Sequence, residues 1–546
     1  MKKNNTSSRT LTTGTTTSHL EAPADLSLAR NINRRSFLAG SIVAGATLGL
    51  GSLISPNVLA NTPNKGGRLK VGFTQGATSD STDPATFSND FMFAYSYGVF
   101  NNLTEIAPDG SLIGELAQNW ESSSDAKTWT FNLRKGVSFH DGKPFTAQDV
   151  VASINHHRGD DSKSGAKPLV EDITSIKALD THRVEIVIGT GNADFPFMFT
   201  DYHLSIHPAK GDKIDFTSMN GTGGYTVTAF EPGVRALYTR NPNYWKAGRA
   251  HLAEVEIILI ADPAARINAL STGEVDLIDR PDLKTIHLLK RRPGIKIEQQ
   301  TGTKHYVLPM LSDVAPFNDN NVRNALKYGI DRQELVDKIL KGYGTVGNDH
   351  PIGPSVPYFN TELKQREYDA DKAKFFLNKA GLTSLDVQLH MSETAWGSNT
   401  VDAGLLYSET AAKAGMNIKV VREPNDGYFS NVWLKKPFCA SYWGGRPTCD
   451  WMFTTAYAKG AAWNESRWDN PKFNELLLSA RSELDENKRR EMYFEMQRLV
   501  HDEGSTVIPM FGNYVLAMNE KVKHEDKVAN NWDLDGLRFM ERWWVA

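Results

Sequence analysis

The sequence is poor in cysteine, and this scarcity limits what can hold the chain together. Only Cys439 and Cys449 occur in 546 residues. Two cysteines cannot build the disulfide framework of a small secreted scaffold, and neither lies in the CxxC spacing of a redox or zinc motif. One disulfide across a short loop and two buried free thiols both fit. Stability must therefore come from a hydrophobic core, which at this length is expected to be divided between two or more lobes.

The chain also lacks an excess of positive charge. Its formal net charge is -3, and a mean hydropathy of -0.42 is typical of a soluble globular protein rather than a fibre or a membrane transporter. Six of the 61 basic residues and two of the 64 acidic residues lie in residues 1–60. The rest of the chain has 55 basic and 62 acidic residues, a net charge of -7. This balance argues against nucleic acid as a partner.

Catalytic and metal-binding signatures are missing too. The sequence contains no HExxH, GxSxG or Walker phosphate-binding motif and no zinc-like cluster of Cys and His. Residues 342–347, GYGTVG, match the GxGxxG of dinucleotide-binding proteins. That fingerprint needs a strand before it and a helix after it, whereas here a helical pattern precedes it and NDHP follows. An ordinary flexible loop is predicted, and the sequence predicts neither an enzyme nor a bound cofactor or metal.

The first 60 residues have the pattern of an export signal. Arg34 and Arg35 precede a weakly apolar, glycine-rich run at 37–54, and VLA at 58–60 is a small-residue cleavage pattern. The arginine pair, followed by Ser-Phe-Leu, resembles a twin-arginine signal, whose cargo is exported already folded. We expect a mature start near Asn61 and a periplasmic location. The alternative is an N-terminal membrane anchor, for which the run is marginal against the ~20 residues of a spanning helix.

Strand and helix patterns alternate irregularly along the rest of the chain, which favours an α/β or α+β architecture. Residues 128–133 alternate apolar and polar side chains like a half-buried strand, and residues 255–260 are a nearly continuous apolar run typical of a buried strand. Thr146 and Asp149 have the spacing of a capping box that opens a helix to about His157. Further helices are predicted after Asp262, at 321–328, at 332–340 and within 471–500, and a further strand is predicted at 511–518.

Several motifs in this part of the chain closely resemble those of one protein family. They are ELAQNW at 115–120, WTFNLRKGVSFHDG at 129–142, PFTAQDV at 144–150, GTGGY at 221–225, RNPNYW at 240–245, ALSTGEVD at 269–276 and VRNALKYGIDR at 322–332. In this order they resemble the signature of family 5 extracellular solute-binding proteins, and the likeness covers nearly all of residues 66–546. These proteins serve ABC importers for oligopeptides, dipeptides, glutathione, nickel chelates, opines and some sugars. The resemblance implies a monomeric receptor that works with an ABC permease and ATPase.

The resemblance also implies a fold. This is the α/β, two-lobed periplasmic binding protein fold (type II, similar to the large cluster C) with an extra inserted subdomain. On this basis lobe I comprises residues 61–100, 215–305 and 510–546, the inserted subdomain residues 101–214, and lobe II residues 306–509. Two strand crossovers join the lobes, which close on a ligand held between them.

The most distinctive stretch is SYWGGRPTCDWMF, residues 441–453. In family members that bind oligopeptides, the segment matching Tyr442 and Trp443 lines the cleft, and an aspartate three residues after the tryptophan pairs with the peptide ammonium. This sequence departs from that pattern with Arg446, and an ammonium facing a buried guanidinium is unfavourable. Arginine instead suits a carboxylate or phosphate, to which its planar fork donates two parallel hydrogen bonds. A plain peptide in the usual pose is therefore not expected.

The candidate ligand-binding residues are Arg446, Asp450, Trp443, Trp396, Trp451 and Tyr514. Asp450 is assigned to an amine of the ligand, the tryptophans to apolar walls, and Tyr514 follows from the family topology. A second interpretation is that Arg446 and Asp450 pair with each other and brace the loop, while the tryptophans belong to the core. A third, in which Cys449 binds a metal, has no second soft ligand at a metal-like spacing.

The sequence therefore predicts a receptor that captures a small carboxylate-bearing nitrogenous solute. A short or modified peptide, an amino-acid derivative and an opine-like compound all meet this description. The alternatives are a nickel or nickel-chelate receptor, an amide or peptide hydrolase of the envelope, and a chaperone-like binder of unfolded peptides.

Overall fold

The computed structural model describes residues 63–546, apart from Ser398 and Asp426. The predicted twin-arginine signal, its cleavage pattern and the predicted mature start near Asn61 lie outside the described residues. Among the helices of this described part, none has the combination of length and apolar character needed to cross a membrane.

Strands and short helices alternate along the described chain. The strands are β1 Arg68–Phe73, β2 Thr104–Ile106, β3 Leu112–Gly114, β4 Ala117–Ser122, β5 Thr128–Leu133, β6 Ile173–Asp180, β7 Arg183–Ile188, β8 Ala209–Lys210, β9 Lys213–Ile214, β10 Tyr225–Glu231, β11 Arg235–Arg240, β12 Glu254–Leu259, β13 Leu277–Asp279, β14 Ile295–Pro309, β15 Gly344–Val346, β16 Leu385–Met391, β17 Met416–Arg422, β18 Ser441–Trp443, β19 Thr506–Asn519, β20 Val522–Lys523 and β21 Trp544–Val545. The helices are α1 Asp90–Val99, α2 Ala147–His156, α3 Lys167–Val170, α4 Phe195–Met198, α5 Pro263–Thr272, α6 Ile286–Leu289, α7 Asn320–Tyr328, α8 Arg332–Lys338, α9 Ala370–Lys379, α10 Glu393–Trp396, α11 Thr400–Ala412, α12 Tyr428–Asn431, α13 Cys449–Ala456, α14 Pro471–Ser482, α15 Glu486–Glu503, α16 Asp533–Gly536 and α17 Phe539–Arg542.

One nine-stranded sheet runs through both lobes. Its order is β10-β11-β12-β1-β13-β19-β14-β18, with β15 also paired to β19. Strand β1 is parallel to β12 and β13, whereas the long strands β14 and β19 are antiparallel, from Ile295 opposite Asn519 to Pro309 opposite Thr506. Ala517 of β19 packs in a core with Leu270 and Ile278, whereas Met510 of the same strand packs with α7, α8 and α11. The pair β14 and β19 therefore joins the two lobes, as the predicted crossovers require.

Each lobe has its own core. In the first lobe, the apolar side chains of β1, β10 to β13 and α1 pack with the C-terminal residues up to Trp543. In the second lobe, β16 and β17 form a parallel pair under α7 to α11, and α13 to α15 enclose a further core. A separate antiparallel sheet, β4-β5-β7-β6, has its own core around Phe131 and Phe199. The two-lobed α/β fold is confirmed, and the predicted lobe and insert boundaries stay predictions.

The local patterns in the sequence specify most of these elements. The capping box is present at Thr146, where Asp149 accepts from the backbone nitrogen of Thr146 at 2.8 Å, so α2 begins at residue 147. Asp262 caps α5, since its side chain accepts from the nitrogen of Ala265 at 2.7 Å. The flexible loop predicted at residues 342–347 is wrong in part, because residues 344–346 form β15 and pair with β19. Within the described chain, the next helix after this segment is α9, so no phosphate-binding helix follows the glycines.

The chain makes a left-handed turn at α16 and the residue that follows it. Residues 534–537 all have positive φ, between 52° and 65°. For the three that are not glycine this conformation costs roughly 1–2 kcal/mol each. Asp535 holds the turn in place, because its Oδ1 accepts from the nitrogen of Ala529 at 2.7 Å and from Nη1 of Arg542 at 2.6 Å. Gly536 and Leu537 line the cavity described below.

Candidate ligand-binding site

A cavity of ≈ 340 Å³ lies where the second lobe faces the rest of the molecule. One side consists of residues 444–447 with Trp451, Thr455 and Trp463, and the other of residues 200–203 with Tyr97, Gly165, Pro168 and Leu169; Ile106, Thr303, Asn531, Trp532, Gly536 and Leu537 complete the lining. This volume is in the range of pockets that take small molecules. The lining includes tyrosine and tryptophan side chains with few charged groups, as expected of a site that buries a small polar ligand.

The loop that carries Arg446 is shaped by two glycines and a helix cap. Strand β18 ends at Trp443, and Gly445 follows with φ of 74°. A Cβ on Gly445 would lie 2.2 Å from Cβ of Thr303, so only glycine lets the loop pack this closely on β14. Thr448 then caps α13 by accepting from the nitrogen of Trp451 at 3.2 Å. Arg446 thus lies in a short, fixed link between a strand and a helix, and it lines the cavity.

The guanidinium of Arg446 is desolvated but has no carboxylate partner among the described residues. Its Nη1 donates to the carbonyl oxygen of Gly445 at 2.7 Å. Its central carbon lies 5.9 Å from the ring centroids of both Trp443 and Trp451. Burial lowers the pKa of Arg446, and the nearby Tyr202 and Asp201 oppose this shift. An arginine has five N–H donors, so this one retains donors for a carboxylate or phosphate of a ligand.

Trp443 is fixed beneath Arg446 by a buried glutamate. Its Nε1 donates to Oε1 of Glu465 at 2.7 Å, and Nε1 of Trp433 donates to Oε2 at 2.5 Å. Burial raises the pKa of Glu465, while the two indole donors act in the opposite direction. Because Glu465 accepts from both indoles, the ring of Trp443 that packs against Arg446 is held in one orientation.

Two of the six predicted residues, Arg446 and Trp451, line the cavity. Trp443 is buried under Arg446 and supports the cavity wall by packing against that side chain. Tyr514 lies behind the cavity wall: its hydroxyl is 3.4 Å from Oγ1 of Thr303, a lining residue, and burial raises its pKa. These four side chains are therefore gathered at one place, and their role in ligand binding stays a prediction.

The other two predicted residues lie elsewhere. Trp396 is buried in the second lobe, where its Nε1 donates to the carbonyl oxygen of Ser441 at 2.7 Å and its ring packs on Tyr306. Asp450 points away from the cavity, and Nε of Arg481 donates to it at 3.1 Å. Burial raises the pKa of Asp450 to about 6, against the opposing effect of Arg481. Asp450 therefore does not face the same space as Arg446.

The two other interpretations of the loop also differ from the structure. Arg446 and Asp450 do not brace the loop as a pair, because the partner of Asp450 is Arg481. Sγ of Cys449 donates to the carbonyl oxygen of Pro357 at 3.2 Å rather than facing a cluster of metal ligands. Cys439 and Cys449 are both free and buried, which decides between the two possibilities that the sequence left open.

The sequence analysis missed several lining residues. Asp201, His203 and Trp532 come from segments more than 80 residues away from Arg446, and no local motif marks them as binding residues. Thr303 lies in β14, whose pairing with β18 brings it beside Gly444. The only available signal was topological: residues next to the crossover strands must lie near the boundary between the lobes.

Two groups of three buried carboxylates have a spacing that a metal ion can use. In one, Glu105, Glu115 and Glu541 surround Nζ of Lys246 at 2.5 to 2.9 Å. This ammonium already occupies the position that a cation would take. The second group is Asp90, Asp279 and Asp533, where Arg280 pairs with both Asp90 and Asp533. Burial and neighbouring aspartates raise the pKa of Asp533 to about 8, so a proton further reduces the charge.

Comparison with known proteins shows similarity to bacterial solute-binding proteins along most of the chain. Residues 111–465 match the model of the bacterial extracellular solute-binding proteins, family 5 Middle. The dipeptide-binding protein of Escherichia coli is 25% identical over 519 residues, which are 87% of this chain and 94% of that protein. The nickel-binding periplasmic protein of the same organism is 31% identical over 316 residues, 55% of this chain and 59% of that protein.

Solved structures share the fold at lower identity. HbpA2 from Haemophilus parasuis has a TM-score of 0.74 at 23% identity, covering 84% of this chain and 96% of that one. The binding protein AgaA from A. tumefacien R10, solved in complex with agropinic acid, has a TM-score of 0.69 at 22% identity. The match covers 88% of this chain and 99% of that one. These matches extend over nearly the whole described chain.

Proposed function

The chain belongs to the bacterial extracellular solute-binding proteins of family 5, and we propose that it captures a small carboxylate-bearing nitrogenous solute for an ABC importer. Short or modified peptides, amino-acid derivatives and opine-like compounds are the candidate solutes. Delivery to the permease and ATPase follows capture between the lobes. Export through the twin-arginine pathway to the periplasm, directed by Arg34 and Arg35, completes the proposal.

The observation that carries this proposal is the state of Arg446. The guanidinium lines an interlobe cavity and has no carboxylate partner in the described chain, so it can bind an anionic group of a ligand. A carboxylate of the ligand would replace lost water with two charge-assisted hydrogen bonds. Since the opposite wall, with residues 200–203, belongs to another part of the molecule, a ligand that contacts both walls stabilises the closed state in particular.

A thermal-shift screen over dipeptides, amino-acid conjugates, opines and their metal chelates tests the proposal. A solute at about 1,000 times its dissociation constant stabilises the native state by about 4 kcal/mol. Arg446→Ala should strongly reduce the shift, whereas Arg422→Ala, which changes an exposed arginine in the same lobe, should preserve it. Amidation of the solute's carboxylate should weaken binding to the native protein far more than to Arg446→Ala. Equal losses in both proteins would assign Arg446 a purely structural role.

A nickel chelate is the second candidate, because one relative at 31% identity is a nickel-binding periplasmic protein. His203 lines the cavity, but both of its ring nitrogens already have partners, so a metal would have to arrive with its own ligands. Such a chelate with a free carboxylate would still be held by Arg446. Titration of each hit with and without Ni²⁺ distinguishes the two: metal-dependent binding supports the chelate, and metal-independent binding supports the organic solute.

A further inference from the structure

Asp201 is the carboxylate that faces Arg446 across the cavity. The acidic and basic side chains of the lining are Asp201, His203 and Arg446, beside the phenols of Tyr97 and Tyr202. Arg446 comes from the second lobe, whereas Asp201 caps the short 3-10 turn Tyr202–Leu204 beside the four-stranded sheet. The two side chains influence each other electrostatically but form no ion pair in the described structure. The cavity therefore has a guanidinium on one wall and a carboxylate, paired with His203, on the other.

The two oxygens of Asp201 have different environments. Oδ1 accepts from the backbone nitrogen of His203 at 3.0 Å and from its Nδ1 at 2.6 Å. Nε2 of His203 lies 2.9 Å from the carbonyl oxygen of Phe87, which can only accept, so Nε2 carries a proton. Since Nδ1 donates to Asp201 as well, His203 is a cation that pairs with this carboxylate. His203 is thus held from both sides and orients the carboxylate. Oδ2 has no hydrogen-bond partner in the described part of the chain and remains for a donor in the cavity.

The backbone around Asp201 is also held firmly. Its carbonyl oxygen accepts from Nδ2 of Asn102 at 2.7 Å, and the next carbonyl, of Tyr202, accepts from Oγ of Ser96 at 2.7 Å. The ring of Tyr202 stacks on Phe93 with the centroids 3.5 Å apart. A carboxylate fixed in this way loses little freedom when a ligand binds, so it is well suited to recognise a charged group.

We propose that Asp201 binds the protonated amine of the same solute whose carboxylate binds Arg446, so that the ligand is a zwitterion that bridges the two walls. This inference rests on the proposed function and makes it more specific: carboxylic acids without a protonated amine, including N-acylated acids, are excluded as preferred ligands. It also replaces Asp450, which pairs with Arg481, as the residue for the amine. A zwitterion held between Arg446 on one wall and the free Oδ2 of Asp201 on the other interacts with both only when the lobes are closed, and this couples recognition to closure.

The test uses leucine, alanyl-leucine and glutamyl-leucine, each in a free, an N-acetylated and a C-amidated form, in calorimetric titrations of the whole exported protein. The best free form should bind about 10- to 100-fold more tightly than its N-acetylated form, as expected for a lost hydrogen bond between charged groups. Asp201→Asn keeps the Oδ1 acceptor for His203 and should remove this preference. Asp215→Asn, which changes a partly exposed aspartate that caps another turn, should leave it unchanged.

The outcomes separate this inference from the proposed function. If the free and N-acetylated forms bind the native protein equally well while the amide binds poorly, the role of Asp201 is overturned and that of Arg446 stands. If the amide binds as tightly as the free acid, the proposed function itself fails. If none of the nine probes binds, both are contradicted. The comparison of probes on the native protein needs no variant, so a folding defect of Asp201→Asn does not prevent a decision.

Discussion

Replacing Asp349 with asparagine should destabilise the second lobe strongly. Asp349 is fully buried, and its Oδ2 lies 2.7 Å from Nη2 of Arg332 and 2.9 Å from Nε of Arg366. Its Oδ1 accepts from the nitrogen of Ile508 in β19 at 3.0 Å. Asparagine tolerates the positive φ of 55° at this position and keeps the bond to Ile508, so the substitution removes the charge and little else.

The magnitude follows from the charges that would be left behind. Arg332 and Arg366 are almost fully buried, and Lys327, whose Nζ donates to the carbonyl oxygen of His501 at 2.9 Å, is buried nearby. Removing one partner of a buried ion pair costs about 3–5 kcal/mol, because the remaining charge has lost its water and its counter-ion. We expect Asp349→Asn to lower the free energy of unfolding at pH 7 by about this amount.

The effect should also depend on pH in a defined way. Burial raises the pKa of Asp349, but Arg332, Arg366 and Lys327 outweigh it and lower the pKa from 3.8 to about 2. A carboxyl with a lowered folded-state pKa contributes stability that is present above its unfolded value and is lost as the pH falls through the folded value. The difference between the native protein and Asp349→Asn should therefore be constant above about pH 5 and shrink between pH 4 and 2.

Urea unfolding followed by tryptophan fluorescence at several pH values measures this difference. The matched control is Asp313→Asn, because Asp313 pairs with Arg467 at 3.0 Å while both side chains are about half exposed. Such a surface pair contributes at most about 1 kcal/mol. A loss below 1 kcal/mol for Asp349→Asn, or a loss that does not change between pH 5 and 2, would refute the reasoning.

Two further predictions concern the export signal and the two cysteines. Substituting both Arg34 and Arg35 with lysine should leave the protein in the cytoplasm when cell fractions are compared by immunoblot; normal export of this variant would rule out the twin-arginine route. Cys439 and Cys449 are buried and burial raises the pKa of both thiols, so a thiol reagent should label neither in the native protein and both in urea; rapid native labelling would contradict the packing.

Local sequence patterns were sufficient for elements whose signals lie within a few residues. The alternation at 128–133, the capping box at Thr146 and the Asp262 cap each specify their element without tertiary information. Strand β15 could not be found in this way. It pairs with Phe511 and its neighbours about 165 residues later, and nothing in GYGTVG records that partner. Predicted boundaries elsewhere differ from the observed ones by a few residues.

The sequence indicated only part of the cavity lining, for the same reason. Arg446 and Trp451 flank the cap at Thr448, and both were found because one loop brings them together. Asp450 was misassigned because four-residue spacing places side chains on one face only within a helix, and Arg446 precedes the helix. Asp450 in the first turn therefore turns toward Arg481 of α14. Asp201 is separated from Arg446 by more than 200 residues, and only the docking of the lobes makes them neighbours.

The first lobe is built from both ends of the chain, and this determines when it can fold. Its core combines Val71 near the start with Met518 and Trp543 near the end, whereas the second lobe is built largely from one continuous stretch. At about 5–20 residues per second, a ribosome needs roughly half a minute or more for this chain. During that time β1 can pair with β12 and β13, but the C-terminal side chains of its core are still missing. The first lobe must therefore assemble after synthesis, around a second lobe that is free to form earlier.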